Sequence, residues 1–325
     1  MSSISCNPLL LLILTSTVIR LSPIIVGCHP RDNSGRVAQI RVALAGFGAA
    51  APVGIEKSFL SALKQLDTIS TIDPAIVESA IAGIRYEGSI NMSTDESRRL
   101  GAAIGCDFFI VGKAEVVARS LEAARTVQEA LVAVMIVDGR TGKLAVFDLV
   151  SEEAQTPGSA ITAAAGALAG RASLYAERMA SFRTNRTSSV SASAETTRNP
   201  TPSERIEEMP TEGSAGSAGF KSPEFLNRVT PEYTADAERA DISASVEATA
   251  VLKSNGEVGD IEITRWAGFG LDQSAERAIR QLKFKPATRD GRPVSVRALI
   301  RYNFRRIASS RLANTLTLLD SQTET

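Results

Sequence analysis

Apolar positions along this chain fall into four regimes, and the changes between them divide it. Pro8 to Gly27 reads PLLLLILTSTVIRLSPIIVG, an almost unbroken apolar run. From 39 to 183 the spacing switches between a period of two and one near 3.6, the signatures of strand and helix. From 184 to 219 large apolar side chains nearly vanish, and from 220 to 306 the periodic pattern resumes.

In the second regime, Ile40 to Ala45 is a short β-rich run ending in Gly46-Phe47-Gly48. Ile55, Phe59, Leu60, Leu63 and Leu66 have helical spacing. Asp73-Pro74 opens a second helix, with Asp as cap and Pro in the first turn. Ser93-Thr94-Asp95-Glu96 starts a third, which runs to Gly105. Phe108 to Val117 reads as a central strand. Ala130–Val137 and Lys143–Ser151 flank Asp138-Gly139-Arg140-Thr141-Gly142 and predict a hairpin. Ala160 to Phe182 predicts one Ala-rich helix. Strands alternating with helices in this way predict an α/β sandwich over 39–183.

The stretch 184–219 is rich in Ser, Thr, Glu, Gly and Pro. It has too little apolar surface to offset chain entropy, which predicts a disordered linker. Extended at about 3.3–3.6 Å per residue, it would reach at most about 120–130 Å. Residues 307–325 predict a flexible tail whose one apolar stretch is Leu316 to Leu319.

In 220–306, Thr234 to Ala240 has the length of a short helix. Val246, Ala248, Ala250 and Leu252 alternate, Asn255-Gly256 supplies a tight turn, and Val258 to Trp266 pairs back. Imperfect alternation there predicts a bulge near Gly259. Leu271 to Leu282 is helical, Asp290-Gly291-Arg292-Pro293 turns the chain, and Val294 to Phe304 is a long last strand. The fold class expected is therefore α+β. A sandwich domain (39–183) and a linker (184–219) precede a small domain (220–306) of three antiparallel strands with two helices on one face.

Charge adds little. Lys plus Arg equals Asp plus Glu at 36 each, so there is no electrostatic case for nucleic acid. Cys6, Cys28 and Cys106 are too scattered for a zinc site or a disulfide framework, and Cys106 reads as a small buried residue entering a strand. The one histidine, His29, leaves no base for a Ser-His-Asp or Cys-His centre. Gly46-x-Gly48-x-x-Ala51 has the outline of a dinucleotide turn, but the acidic residue that would follow the second strand is missing. Glu152-Glu153 and Glu207-Glu208 read as solvated charge in polar loops. No enzyme, metal or cofactor is expected.

Residues 1–28 fit three readings: a lipoprotein signal, an uncleaved membrane anchor, or a cleaved signal peptide. Arg20 and Pro23 count against a stable span, since a mid-bilayer Arg costs about 2.5–3.5 kcal/mol. Ile25-Val26-Gly27-Cys28 resembles a lipobox, which makes Cys28 a candidate for lipidation. Each reading places the rest of the chain outside the cytoplasm, and the resemblance to a bacterial lipobox implies the bacterial envelope, facing the periplasm and membrane-associated.

The last domain resembles the TonB carboxy-terminal family. The residues that carry this are Pro231 and Tyr233, Asn255-Gly256-Glu257-Val258, Leu271-Asp272-Gln273-Ser274-Ala275, Phe284-Lys285-Pro286-Ala287, Gly291-Arg292-Pro293-Val294 and Tyr302-Asn303-Phe304. Thr234 departs from the family's usual Pro, and Ser243/Ala244 from its usual Gly. The resemblance implies binding by strand addition: a box-like peptide of an outer-membrane transporter pairs with the edge of the last strand. That strand would be Ser295, Val296, Arg297, Ala298, Leu299, Ile300, Arg301, Tyr302, Asn303 and Phe304. An edge of this kind offers unpaired N–H and C=O groups. Arg297, Arg301, Arg305 and Arg306 are either charges that block self-association or groups that face a partner. The resemblance further implies energised transmembrane transport with inner-membrane proton-driven motor proteins as partners, although His29 lies after the apolar run rather than within it. The 39–183 region is similar to periplasmic α/β domains of the CsgG and TolB amino-terminal kind. That leaves open an alternative, a structural or secretion-related envelope lipoprotein with a TonB-like docking module.

Overall fold

Two sheets organise the molecule. The computed structural model describes residues 39–52, 54–120, 126–196, 206–210, 218–306 and 316–318. The first sheet holds β1 (Ile40–Gly46), β2 (Ile69–Thr71), β3 (Phe108–Ser120), β4 (Thr126–Asp138) and β5 (Leu144–Ala154) in the order β2-β1-β3-β4-β5. β1 runs parallel to both neighbours, whereas β3, β4 and β5 form an antiparallel meander. The connecting helices are α1 (Ile55–Lys64), α2 (Pro74–Gly83), α3 (Thr94–Ile104), α4 (Pro157–Gly170) and α5 (Ala172–Thr196).

The predicted caps are in place. Asp73 accepts from Ala75 N, and Ser93 and Glu96 form a reciprocal capping box. Cys106 is buried, as read, and desolvation pushes its thiol up to about 12. Three features differ from expectation. The three-residue β2 is too short to show a period in sequence. The Ala-rich helix is two helices that break at Arg171, and Glu152-Glu153 lie on strand β5 rather than in a loop.

One face of this sheet packs against α1, α4 and α5 through Val42, Phe59, Leu63, Val134, Ile136, Leu168 and Tyr175. The other face carries Ala43, Phe109, Val111, Ala133, Met135 and Val137. Val77 of α2 and Leu100 and Ile104 of α3 join it there, and so does the carboxy-terminal module. β4 is buried at nearly every position because both of its faces are covered.

The second sheet is built from β6 (Ile206–Glu208), β7 (Phe220–Lys221), β9 (Ala244–Leu252), β10 (Val258–Arg265), β12 (Ala287–Arg289), β13 (Arg292–Phe304) and β14 (Leu316–Leu318). Its main path is β10-β9-β13-β12-β7. A separate pair joins β8 (Glu224–Phe225) to β11 (Phe284–Lys285). Helices α6 (Ala235–Arg239) and α7 (Leu271–Arg280) pack on one face, so the expected order of helix, two strands, helix and strand is present. The register shifts between Val258 and Ile261, at the predicted bulge. Gly256, at φ 85, closes the β9–β10 hairpin.

The stretch expected to be a disordered linker is partly structured, since α5 continues to Thr196 and Ile206–Glu208 is strand. In the expected tail, Leu316–Leu318 is strand as well. Among the described residues no helix is long and apolar enough to cross a membrane. Residues 1–38, with Cys6, Cys28 and His29, lie outside the described residues.

Candidate functional site

β13 is the longest strand of the second sheet, and the expected binding residues occupy most of it. Val296, Ala298, Ile300, Tyr302 and Phe304 point into the core at 0–1% exposure, which fixes the register of the strand. The Tyr302 hydroxyl is buried without a hydrogen-bond partner among the described residues, and desolvation pushes it up to about 12. On the opposite face, Ser295 Oγ accepts from Ser254 N at 2.7 Å, Arg301 reaches Glu247 at 2.6 Å, and Ser245 Oγ bonds Asn303 Oδ1 at 2.7 Å. Leu299 is half-buried there. One edge of β13 pairs with β9 from Val296↔Leu252 to Phe304↔Ala244.

The other edge was expected to stand open. It is instead occupied by the protein's own chain in three pieces. β12 covers Arg292, Pro293 and Val294 antiparallel. β6 covers Ser295, Val296 and Arg297 in parallel, and β14 covers Ile300, Arg301 and Tyr302 antiparallel. The physical reason is that an exposed edge of this length carries many unsatisfied backbone groups, and any tethered segment able to pair will do so. Ala298, Leu299, Asn303 and Phe304 have no strand partner on this side among the described residues.

Charge reinforces the occupancy. Glu207 meets Arg289 Nε at 2.7 Å, and Glu208 meets Arg297 Nε at 3.2 Å. Of the Glu207-Glu208 pair, read from sequence as solvated, Glu207 is partly buried against Arg289, whereas Glu208 stays exposed beside Arg297. Of the four arginines left open between two roles, Arg297 and Arg301 pair with carboxylates of this chain, and Arg306 lies 3.4 Å from Asp241. Beside the edge, Met209 packs on a small cluster of Leu252, Phe284, Ala287, Val296 and Ala298, and Arg289 lies over the Phe220 ring at 5.3 Å.

The back of the module is equally defined. Trp266 is buried and donates its indole N–H to Gly142 O at 3.1 Å, in the Asp-Gly-Arg-Thr-Gly turn of the first sheet. Phe269 packs against Phe147 with ring centroids 4.7 Å apart and the rings tilted at 52°. Asn91 holds Ser245 through its N–H and C=O at 2.9 and 2.8 Å, and donates to Trp266 O at 2.7 Å. Glu129 is 1% exposed and accepts from Arg119, Arg239 and Ser151. Burial raises its carboxyl, and the Ser151 and arginine hydrogen bonds more than offset this and leave it below the usual range. Asp272 caps the turn before α7 by accepting from Ala267 N and Gly268 N at 2.8 and 2.9 Å. Desolvation outweighs those bonds and pushes it up to about 6.

None of these groups forms a nucleophile–base arrangement, and no cluster suited to a metal ion occurs among the described residues.

Residues 229–305 match the family described as Gram-negative bacterial TonB protein C-terminal. No curated protein matches the chain. Among solved structures, the chain is similar to the TonB carboxy-terminal domain of Pseudomonas aeruginosa (21% identity, TM-score 0.24, covering 32% of this chain and 98% of that one). It is similar to lipoprotein GNA1162 of Neisseria meningitidis (14% identity, TM-score 0.27, 40% and 99%). A third similarity is to hypothetical protein CT253 of Chlamydia trachomatis (14% identity, TM-score 0.27, 36% and 74%). Residues 229–305 of this chain are thus a domain of the TonB carboxy-terminal family.

Proposed function

We propose that this chain is a TonB-like envelope protein that binds an extended peptide of an outer-membrane transporter by strand addition to β13, in support of energised transport. One observation carries the reading. Among the described residues, the second edge of β13 is filled over Ser295–Arg297 and Ile300–Tyr302 only by three-residue strands from outside residues 229–305. Short strands make few hydrogen bonds, each with a small net contribution, so a longer peptide competes favourably for the same backbone groups. Membrane attachment through Cys28 or the apolar run before it, and contact with inner-membrane motor proteins, belong to the same reading.

The test is a photo-crosslinking residue at Leu299 in the full chain, in the half-buried gap between β6 and β14. The expected adduct is an outer-membrane transporter, joined through its periplasmic peptide. Adducts confined to other envelope proteins would refute transporter binding.

A second reading is favoured by the shared core. Because Trp266 and Phe269 are buried against the first sheet, the module serves equally well as a fixed docking face on a structural or secretion-related lipoprotein. Palmitate labelling on Cys28, together with loss of envelope assembly but not of transport on deletion of the gene, would select it.

A further inference from the structure

The segment seated on β13 carries chemistry that goes beyond a plain backbone pairing. β6 runs parallel to β13 in the register Ile206↔Ser295, Glu207↔Val296, Glu208↔Arg297. Successive side chains alternate in exposure. Glu207 and Met209 are half-buried toward Arg289 and the Leu252–Phe284–Ala287 cluster, whereas Ile206 and Glu208 are exposed. Each carboxylate finds a guanidinium, Glu207 on Arg289 and Glu208 on Arg297. An arginine presents a planar fork suited to a carboxylate, so these two positions read charge as well as extended backbone.

Building on the strand-addition reading, we propose that Ile206–Met209 is an internal stand-in for the partner. It holds the edge until an external peptide of the same chemistry displaces it. The matching peptide runs parallel to β13. It places one carboxylate over Arg289 and a second over Arg297, and sets an apolar side chain on the cluster that Met209 covers. Only three residues of β6 pair with β13, against the nine-residue register that β9 makes on its other edge, so β6 is the exchangeable partner of the two. The stand-in is part of the same chain and acts at high local concentration, so it lowers the apparent affinity for any competitor by the fraction of molecules in which the edge is open.

The experiment uses the full chain and a fluorescein-labelled peptide of residues 204–210, ERIEEMP, in a polarisation titration at low and high salt. Wild type is expected to bind this probe weakly. The double variant Glu207→Lys/Glu208→Lys, which releases β6, is expected to bind it about ten-fold tighter or more. The affinity is expected to drop with salt, and a probe with Lys in place of Glu207 and Glu208 should not bind. Arg289→Glu/Arg297→Glu should remove probe binding. The milder Glu207→Gln/Glu208→Gln serves as a second opened variant, and unchanged Trp266 fluorescence in both shows that the fold is intact. Equal affinity in wild type and opened variants, or equal binding of the Lys probe, would overturn the proposal. Should an opened variant take the probe in this charge-dependent way while Leu299 crosslinks to no transporter, the stand-in mechanism stands and the transporter reading fails. Should transporter crosslinks form equally in wild type and opened variants, the transporter reading stands and displacement is wrong.

Discussion

Replacing Gly268 by alanine asks whether the two sheets share one core. Gly268 sits at φ +73 between Trp266 and α7, and a Cβ there would lie 2.7 Å from Phe147 Cδ2 and 3.1 Å from Met135 Cε. Both neighbours belong to the first sheet. Met135 is fully buried and Phe147 is half-buried against Phe269, so an added Cβ must displace both side chains. A non-glycine residue in the left-handed region costs about 1–2 kcal/mol. Overpacking a filled core costs about 1–3 kcal/mol. The expected loss is therefore about 2–5 kcal/mol. The chain has one tryptophan, and its indole is buried against Gly142 of the first sheet. Its fluorescence thus reports the contact between the halves, while far-UV circular dichroism reports both. In urea the two signals should coincide in wild type, and in Gly268→Ala both midpoints should fall together with an unchanged slope. Gly166→Ala is the matched control. It lies inside α4 with nothing within 4 Å of the added Cβ, and should stabilise by about 0.5–1 kcal/mol. A loss at Gly268 below about 1 kcal/mol, where overpacking alone should begin, would refute the shared core. So would a tryptophan transition that precedes the circular dichroism transition in wild type.

Three further outcomes follow from the same contacts. Asp272 keeps its proton up to about 6, whereas the ordinary value is 3.8, so its contribution to stability is full below about 4 and is lost as pH rises through 6. Urea midpoints of Asp272→Asn should lack that decline, and parallel profiles for the two proteins would disprove it. Glu129→Gln removes the charge that joins Arg239 of α6 to β4 and should cost about 1.5–3 kcal/mol. The Glu129 carboxyl is held low, so the stability it supplies is present above about pH 4.5 and fades as pH falls further; the variant should show less acid sensitivity in thermal melts. Asn91→Ala strips hydrogen bonds from Ser245 and Trp266 at once and should cost about 2–4 kcal/mol in the same melts. A change below about 0.5 kcal/mol, the scatter of ordinary surface substitutions, would show that water replaces Asn91 there without loss.

The elements that were legible from sequence are those whose signal is local. Asp73, Ser93 and Glu96 announce their helices because the side chain that caps a helix lies within a few residues of the groups it satisfies. Asn255-Gly256 and the bulge beyond it could be read because turn geometry restricts residue type. β2, β6 and β14 have three residues each, too few for a period of two to stand out. Ile206-Glu207-Glu208-Met209 did carry a faint mark, an apolar–acidic run inside a stretch otherwise poor in large side chains. What could not be read is that its carboxylates meet Arg289 and Arg297, about eighty residues on, since ion pairing across a sheet has no fixed spacing. The strand over Ser295–Phe304 was legible, but the occupancy of its edge depends on segments that reach it from both sides of the domain.

The run Ala130–Val137 holds a clue to the larger arrangement that period counting passes over. A strand with one wet face alternates, but Ala-Leu-Val-Ala-Val-Met-Ile-Val does not, and such a strand must be covered on both sides. Helices α1, α4 and α5 cover one side. On the other, α2 and α3 share the cover with Trp266, Ala267, Phe269 and Leu271 of the module, which join Met135, Phe147 and Leu149 in one core. The stretch 184–219 therefore leaves a packed body at α5 and returns to the same body at β7. A segment fixed at both ends to one body cannot extend the reach of the module, however long it would be when stretched. Its ordered strand instead lies on the edge of β13, beside Ser295, Val296 and Arg297.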